Sequence, residues 1–344
     1  MDKKNKNPNV PNLRFPNFCT PWKIIQISNL LQFQNGINGS PEQYGKGVKF
    51  ISVGDILNNI YITYDNIKGL IDIDEKTLNN YSVTYGDILF QRSSEIKNDI
   101  GRTNVYLDKN NIATFGGFVI RGKKIGQYDP AFFNYLLKSP SSRKSIIRLG
   151  AGAQHYNIGQ ENIKTLNFYF PDEIEQAKIA YLFSKIDERI QTQSKIINDY
   201  KALKKWINDK IYSDLKCEYS FFSSVYVIAK EGGTPSTSRP EYYSGNIPFI
   251  KIDDLNKKYI TENKVYISEQ GLVNSSAWVI PKNSVILSNG ATIGNVSINT
   301  YPVSTKQGIL GIVTKDGILT EYLYYLLNTT DFRRKLKRVT TKGT

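Results

Sequence analysis

A chain of 344 residues, 40% hydrophobic and 22% charged, is long enough for two or three domains that each bury a real core. No run of eighteen apolar residues occurs, which argues against a spanning helix, and two cysteines, Cys19 and Cys217, are too few for a disulfide framework. The net charge of +14 points either to a polyanionic partner such as nucleic acid or simply to solubility, and a cytoplasmic, membrane-free protein is the default expectation.

Residues 1–20 are charged and rich in Asn and Pro, without the apolar centre of a signal peptide, and read as a disordered lead-in. From 21 to 170 the chain reads mainly as strands. Alternating β-branched and aromatic stretches at 48–53, 87–91, 103–107 and 112–120 are split by Gly, Asn and Asp turns. A short helix is expected over about 129–148, opening at Asp129-Pro130 with Phe132, Phe133, Leu136 and Leu137 on one side.

The stretch 171–215 is different in kind. After Pro171 it holds neither Gly nor Pro, and Ile179, Leu182, Phe183, Ile186, Ile190, Ile196, Ile197, Tyr200, Leu203, Ile207 and Ile211 fall on one helical stripe. Asp172 is the expected N-cap, with Glu175 placed to close a capping box. Roughly 44 residues at 1.5 Å each would span roughly 66 Å. Such a helix joins two bodies and packs its stripe on a partner helix in coiled-coil fashion.

Residues 216–344 repeat what precedes the helix. VKFISVGDI (48–56) matches IPFIKIDDL (247–255), and the pattern of 82–107 returns in 278–298. Tyr135-Leu136-Leu137, followed by Arg143, Lys144 and Arg148, matches Tyr325-Leu326-Leu327, followed by Arg333, Arg334 and Arg338. A helix from about Thr320 to Arg338 is expected. The repeat stops early, since Thr344 corresponds to Gln154 and no counterpart of 155–215 follows. The expected fold class is therefore α+β: two repeated mixed domains, 21–170 and 216–344, the latter incomplete at its C-terminus, separated by the long helix. Charge follows the same division. Residues 1–171 carry 21 Lys/Arg against 13 Asp/Glu, 172–215 carry 8 against 8, and 216–344 carry 16 against 10. Two basic bodies on a neutral spacer suit a polyanion held at two places.

GDILFQR (86–92), Ile100-Gly101-Arg102, Ala153-Gln154-His155-Tyr156-Asn157-Ile158 and LNFYFPDEIEQAKIAYLFSKIDERI (166–190) carry a resemblance to the specificity subunits of type I restriction-modification systems. The resemblance covers the chain from about Trp22, and no one motif in it is specific. It implies two target-recognition domains that each read half of a split double-stranded DNA site. It also implies two antiparallel long helices that fix the separation and dock modification (methyltransferase) subunits, with restriction subunits joining through the complex. S-adenosylmethionine, ATP and Mg would then belong to partner chains. The absent second helix departs from that pattern. A fragment, a truncated gene and pairing of helices between two chains all remain open.

No catalytic site is legible. The chain has no Gly-rich phosphate loop with a following Lys-Ser/Thr, and its only histidine is His155. Asp253-Asp254 reads as a turn, no metal site is expected, and the aromatic residues Phe168, Tyr169, Phe170 and Phe249 read as core. For DNA contact the candidates are Gln91, Arg92, Ser93, Ser94, Lys97, Arg102, Gln154 and His155 in the first copy, with Ser288, Asn289 and Thr292 in the second. The 91–94 loop reads equally as a contact loop or as a tight turn. For phosphate the candidates are Arg143, Lys144 and Arg148, then Arg333, Arg334, Lys335, Lys337, Arg338 and Lys342. The stripe from Ile179 to Ile211 is the expected subunit interface. A non-catalytic DNA-specificity protein is the leading reading; a truncated or recombination-donor copy that only scaffolds the methyltransferase is the alternative.

Overall fold

The computed structural model describes residues 10–215, 220–290 and 292–340. Its contacts divide the chain into two units, Met1–Ser194 and Lys195–Thr344, with the division falling inside one continuous helix, Glu173–Asp214.

In the N-terminal unit a four-stranded antiparallel sheet runs in the order Leu31–Asn35, Val119–Lys124, Ile88–Gln91, Thr103–Val105. Beside it a three-stranded sheet runs Gly69–Ile71, Tyr44–Ile51, Thr114–Phe115, whose last pair is parallel. In the C-terminal unit the larger sheet runs Tyr226–Glu231, Ile309–Thr314, Val285–Asn289, Ile293–Asn299, Tyr259–Ile260. The smaller one runs Tyr266–Ile267, Ile247–Ile250, Ser304–Thr305, again with a parallel last pair. The first four strands of the larger sheet and all three of the smaller therefore follow one order in the two units, the C-terminal unit adding a fifth strand, Tyr259–Ile260. The units share register as well: Phe50 faces Thr114 in one and Phe249 faces Ser304 in the other, offsets of 199 and 190. The repeat seen in the sequence is a repeat of topology.

Burial explains the strands. Ile88, Phe90, Val105 and Ile120 in the first unit and Val285, Leu287, Val296 and Ile312 in the second face one core, while Leu89 and Val119, and Ile286 and Ile309, face another, so both large sheets are covered on two sides. Tyr169 departs from the expected core assignment: it points outward between buried Phe168 and Phe170, because neighbouring strand residues face opposite ways. The Asp253-Asp254 stretch forms a 3-10 turn in which Lys251 N–H donates to the Asp254 carboxylate at 2.8 Å. Asp55 accepts from Ser52 N–H at the same distance in the other unit.

Each single helix expected after the sheets is two. The first breaks into Pro130–Lys138 and Pro140–Ile147. Pro140 forces extended backbone on Ser139, which then caps the second helix. The other breaks into Thr320–Leu327 and Thr330–Thr340. The long helix starts where expected, with Glu175 N–H donating to Asp172 Oδ1 at 2.8 Å. Glu175 closes no capping box. It is buried and accepts from Arg14 Nε and Nη2 at 2.7 and 2.6 Å, which pins part of the expected lead-in to the helix start.

Candidate nucleic-acid interface

The surface that matters in the N-terminal unit is built where the Ile88–Gln91 strand ends. Ser93 and Ser94 leave that strand and pair antiparallel with Asn157 and Tyr156. Asn157 pairs back onto Ala151 through two backbone hydrogen bonds of 2.8 and 3.0 Å, closing a small hairpin over 151–157. Gly152 makes that hairpin possible, with φ at +134° and a would-be Cβ 2.0 Å from the His155 carbonyl oxygen. Gln154 and His155 stand exposed at its tip. The Gly116-Gly117-Phe118 turn meets the same place, where Arg92 N–H donates to the Phe118 carbonyl at 2.9 Å. Asn38, Arg92, Ser93, Gly117, Phe118 and Asn157 line an open recess of about 230 Å³ there.

Three expected contact residues are corrected to structural ones. Gln91 is 5% exposed and its Nε2 donates to the Ser93 carbonyl at 2.9 Å, so it supports the turn from below. Ser288, in the matching position of the other unit, is fully buried and its Oγ accepts from Asn295 N–H at 2.9 Å. Arg143 spends its guanidinium on backbone: Nη1 donates to Gly101 O at 2.7 Å, and Nη2 to Ile100 O and Asn98 O at 2.8 and 3.0 Å. Burial, with Arg102 close by, lowers its pKa from the ordinary value. A residue so engaged ties helix to turn and leaves its neighbours to meet solvent.

The other candidates stay at the surface. Lys97, Lys144 and Arg148 are exposed, Arg92 is half-buried, and Ser93 and Ser94 are half-buried beside the hairpin. Ser94 Oγ accepts from Ile96 N–H at 3.1 Å. Arg102 is exposed but pairs with Asp99, Nε to Oδ1 at 2.8 Å. In the C-terminal unit Asn289, Thr292, Arg333, Arg334, Lys335, Lys337 and Arg338 are exposed. Arg334 and Lys335 share Asp331 at 2.6 and 2.7 Å, and Arg333 donates to Asn328 Oδ1 at 2.7 Å. Lys342 lies outside the described residues.

The C-terminal unit also gathers charge from elements the sequence kept apart. Thr330 N–H and Oγ1 donate to the Asp209 carboxylate at 2.7 and 2.6 Å, fixing the last helix beside the end of the long one. Lys201, Lys204 and Lys205 thereby join Arg333, Arg334, Lys337 and Arg338 around one cleft of about 800 Å³. Asn38, Phe118, Asn157 and these three lysines were missed by the sequence reading. The Gly-Gly pair before Phe118 was the one available signal.

Along the long helix, Ile179 is half-buried against the N-terminal core. Leu182, Phe183, Ile186, Ile190, Ile197, Tyr200, Leu203, Ile207 and Ile211 are 43–68% exposed. No helix among the described residues is long and apolar enough to cross a membrane, and no group of three or more metal-ligating side chains occurs among them.

Two like units, each ending in a polar surface and joined through one helix, define a tandem recognition protein. Residues 217–344 match the family model described as the type I restriction modification DNA specificity domain. The HindI specificity subunit of Haemophilus influenzae is 25% identical over 380 residues, covering 86% of this chain and 80% of that protein. The MjaIX specificity subunit of Methanocaldococcus jannaschii is 38% identical over 116 residues, which are 33% of this chain and 27% of that one. Among solved structures, the type I restriction-modification S subunit from M. genitalium superimposes with a TM-score of 0.53 at 18% identity, covering 96% of this chain and 82% of that one. The chain is thus similar over most of its length to type I restriction-modification specificity subunits, and its residues 217–344 match their DNA specificity domain.

Proposed function

We propose that this protein gives a type I restriction-modification complex its DNA sequence specificity, one unit reading each half of a split target. The recurrence of one strand order and register in two basic units on a single helix supports this reading above all. A protein with two copies of one binding frame and diverged loops recognises two related but different segments of a polymer. The domain bounds are taken as 21–170 and 216–344, with the helix of 171–215 as spacer.

The exposed stripe from Leu182 to Ile211 serves as the docking face for modification subunits, with restriction subunits reached through the complex. The chain itself is non-catalytic, and S-adenosylmethionine, ATP and Mg act on the partner chains. Its place is the cytoplasm, where the DNA is. Expression with a type I modification subunit in a methylation-free host tests this, with methylated bases mapped genome-wide. Methylation confined to one split motif supports the proposal. Methylation without a motif, or independent of this chain, overturns it.

A further inference from the structure

The recess beside Phe118 is lined by three side chains, Phe118, Arg92 and Asn38, that are weakly engaged among the described residues. The backbone under them is rigid. Val119 N–H donates to Gly116 O at 2.8 Å, and Arg92 N–H to Phe118 O at 2.9 Å. A Cβ on Gly116 would sit 2.7 Å from the Phe50 ring, and one on Gly117 would sit 2.2 Å from Asn38 Oδ1. A turn held this way cannot relax to hide its third residue, and Phe118 is 68% exposed.

Arg92 is the second. Arg14, Arg102 and Arg121 pair with carboxylates and Arg143 with three carbonyls. Half-buried Arg92 has, among the described residues, only a 3.3 Å contact from Nη1 to Gly117 O. Arg92 lines the recess. Asn38, the third, places an exposed amide on the same rim.

We propose that Arg92, Asn38 and Phe118 are the base-contacting set of the N-terminal unit, with the Arg92 guanidinium reading a guanine. This rests on the DNA-reading function above. A forked cation matches guanine O6 and N7, an amide matches adenine N6 and N7, and an aromatic edge meets a thymine methyl or wedges at a base step. Phosphate contact needs none of this, because any exposed lysine supplies it. Strand register puts Asn289 where Arg92 stands and Gly308 where Phe118 stands. The set therefore belongs to one unit, and the two half-sites differ in sequence.

Selection from a randomised duplex library with the purified full chain tests the proposal, comparing wild type with Arg92→Ala, Arg92→Lys and Phe118→Ala. The wild type is expected to enrich two separated half-sites. Both Arg92 variants are expected to lose preference for one guanine in one half by on the order of 10- to 100-fold, since a lysine cannot fork. Phe118→Ala, a change at a largely exposed residue, is expected to weaken binding and to relax the same half. The other half is the internal control and shows that the variants remain folded. Unchanged motifs in all three variants overturn the assignment while leaving the DNA-reading function standing. Failure of the wild type to enrich any motif overturns that function, and this proposal with it.

Discussion

Ser93 Oγ donates to Asn157 Oδ1 at 2.5 Å across 64 residues of sequence. That bond ties the turn after one strand to the hairpin that carries Gln154 and His155, so the two read as one surface. Ile158 N–H adds a 3.0 Å bond to Arg92 O. Asn157→Ala is expected to loosen the hairpin by about 1 kcal/mol, a roughly fivefold faster amide exchange at Ala151 and Asn157. Exchange in the Ile88–Gln91 strand should not change. Unaltered hairpin exchange would mean that backbone pairing alone holds it.

Arg143 and Arg148 look alike in the sequence and differ in the structure. Arg143→Ala removes three donors from backbone carbonyls and is expected to cost about 2–3 kcal/mol in urea unfolding. Arg148→Ala, at an exposed helix end, is expected to leave stability within about 0.5 kcal/mol. If Arg148 meets phosphate, its loss lowers the slope of log affinity against log salt by about 1. The opposite pattern would return Arg143 to the DNA surface.

Asp87 and Arg121 form a buried pair, Oδ2 to Nε and Nη2 both at 2.7 Å. The C-terminal unit has Ser284 and Gly311 at those register positions, with Ile280 and Trp278 packed over the glycine. One frame thus tolerates either an ion pair or an apolar plug. Arg121→Met alone leaves a buried carboxylate and is expected to cost about 3–5 kcal/mol. Asp87→Asn with Arg121→Met should cost less than the single change. A double variant worse than the single would show that the pair does more than satisfy itself.

Ile186 and Ile190 are exposed on the long helix, so lysine at both should leave the melting temperature of the isolated chain unchanged within about 2 °C. The same variant is expected to fail to co-purify with a modification subunit. Loss of folding in the isolated chain would place these residues in an internal contact instead.

The long helix and the repeat were legible because both are periodic properties of the chain itself. Offsets of 199 and 190 taken from short matches are the offsets of the paired strands, Phe50 with Phe249 and Thr114 with Ser304. The break at Pro140 is also written in the sequence, since proline dictates its predecessor's backbone, although the apolar spacing alone runs on as one helix. Site assignment was harder. Gln91 ends its strand and Ser288 stands one residue before the end of its own, and only the following turn decides whether such a residue faces in or out. Arg143 shares its composition with Lys144 and Arg148, and only the carbonyls of 98–101 distinguish it. Arg14 and Phe118 depend on partners 161 residues away or on a turn pinned by three separate segments.

Two separate reading units are tested most sharply by exchanging residues 20–154 for those of a type I specificity subunit, with methylated bases mapped in the presence of a modification partner. One half of the split motif is expected to change while the other half and the spacing between them stay the same. A motif altered in both halves, or in neither, would contradict the two-unit reading.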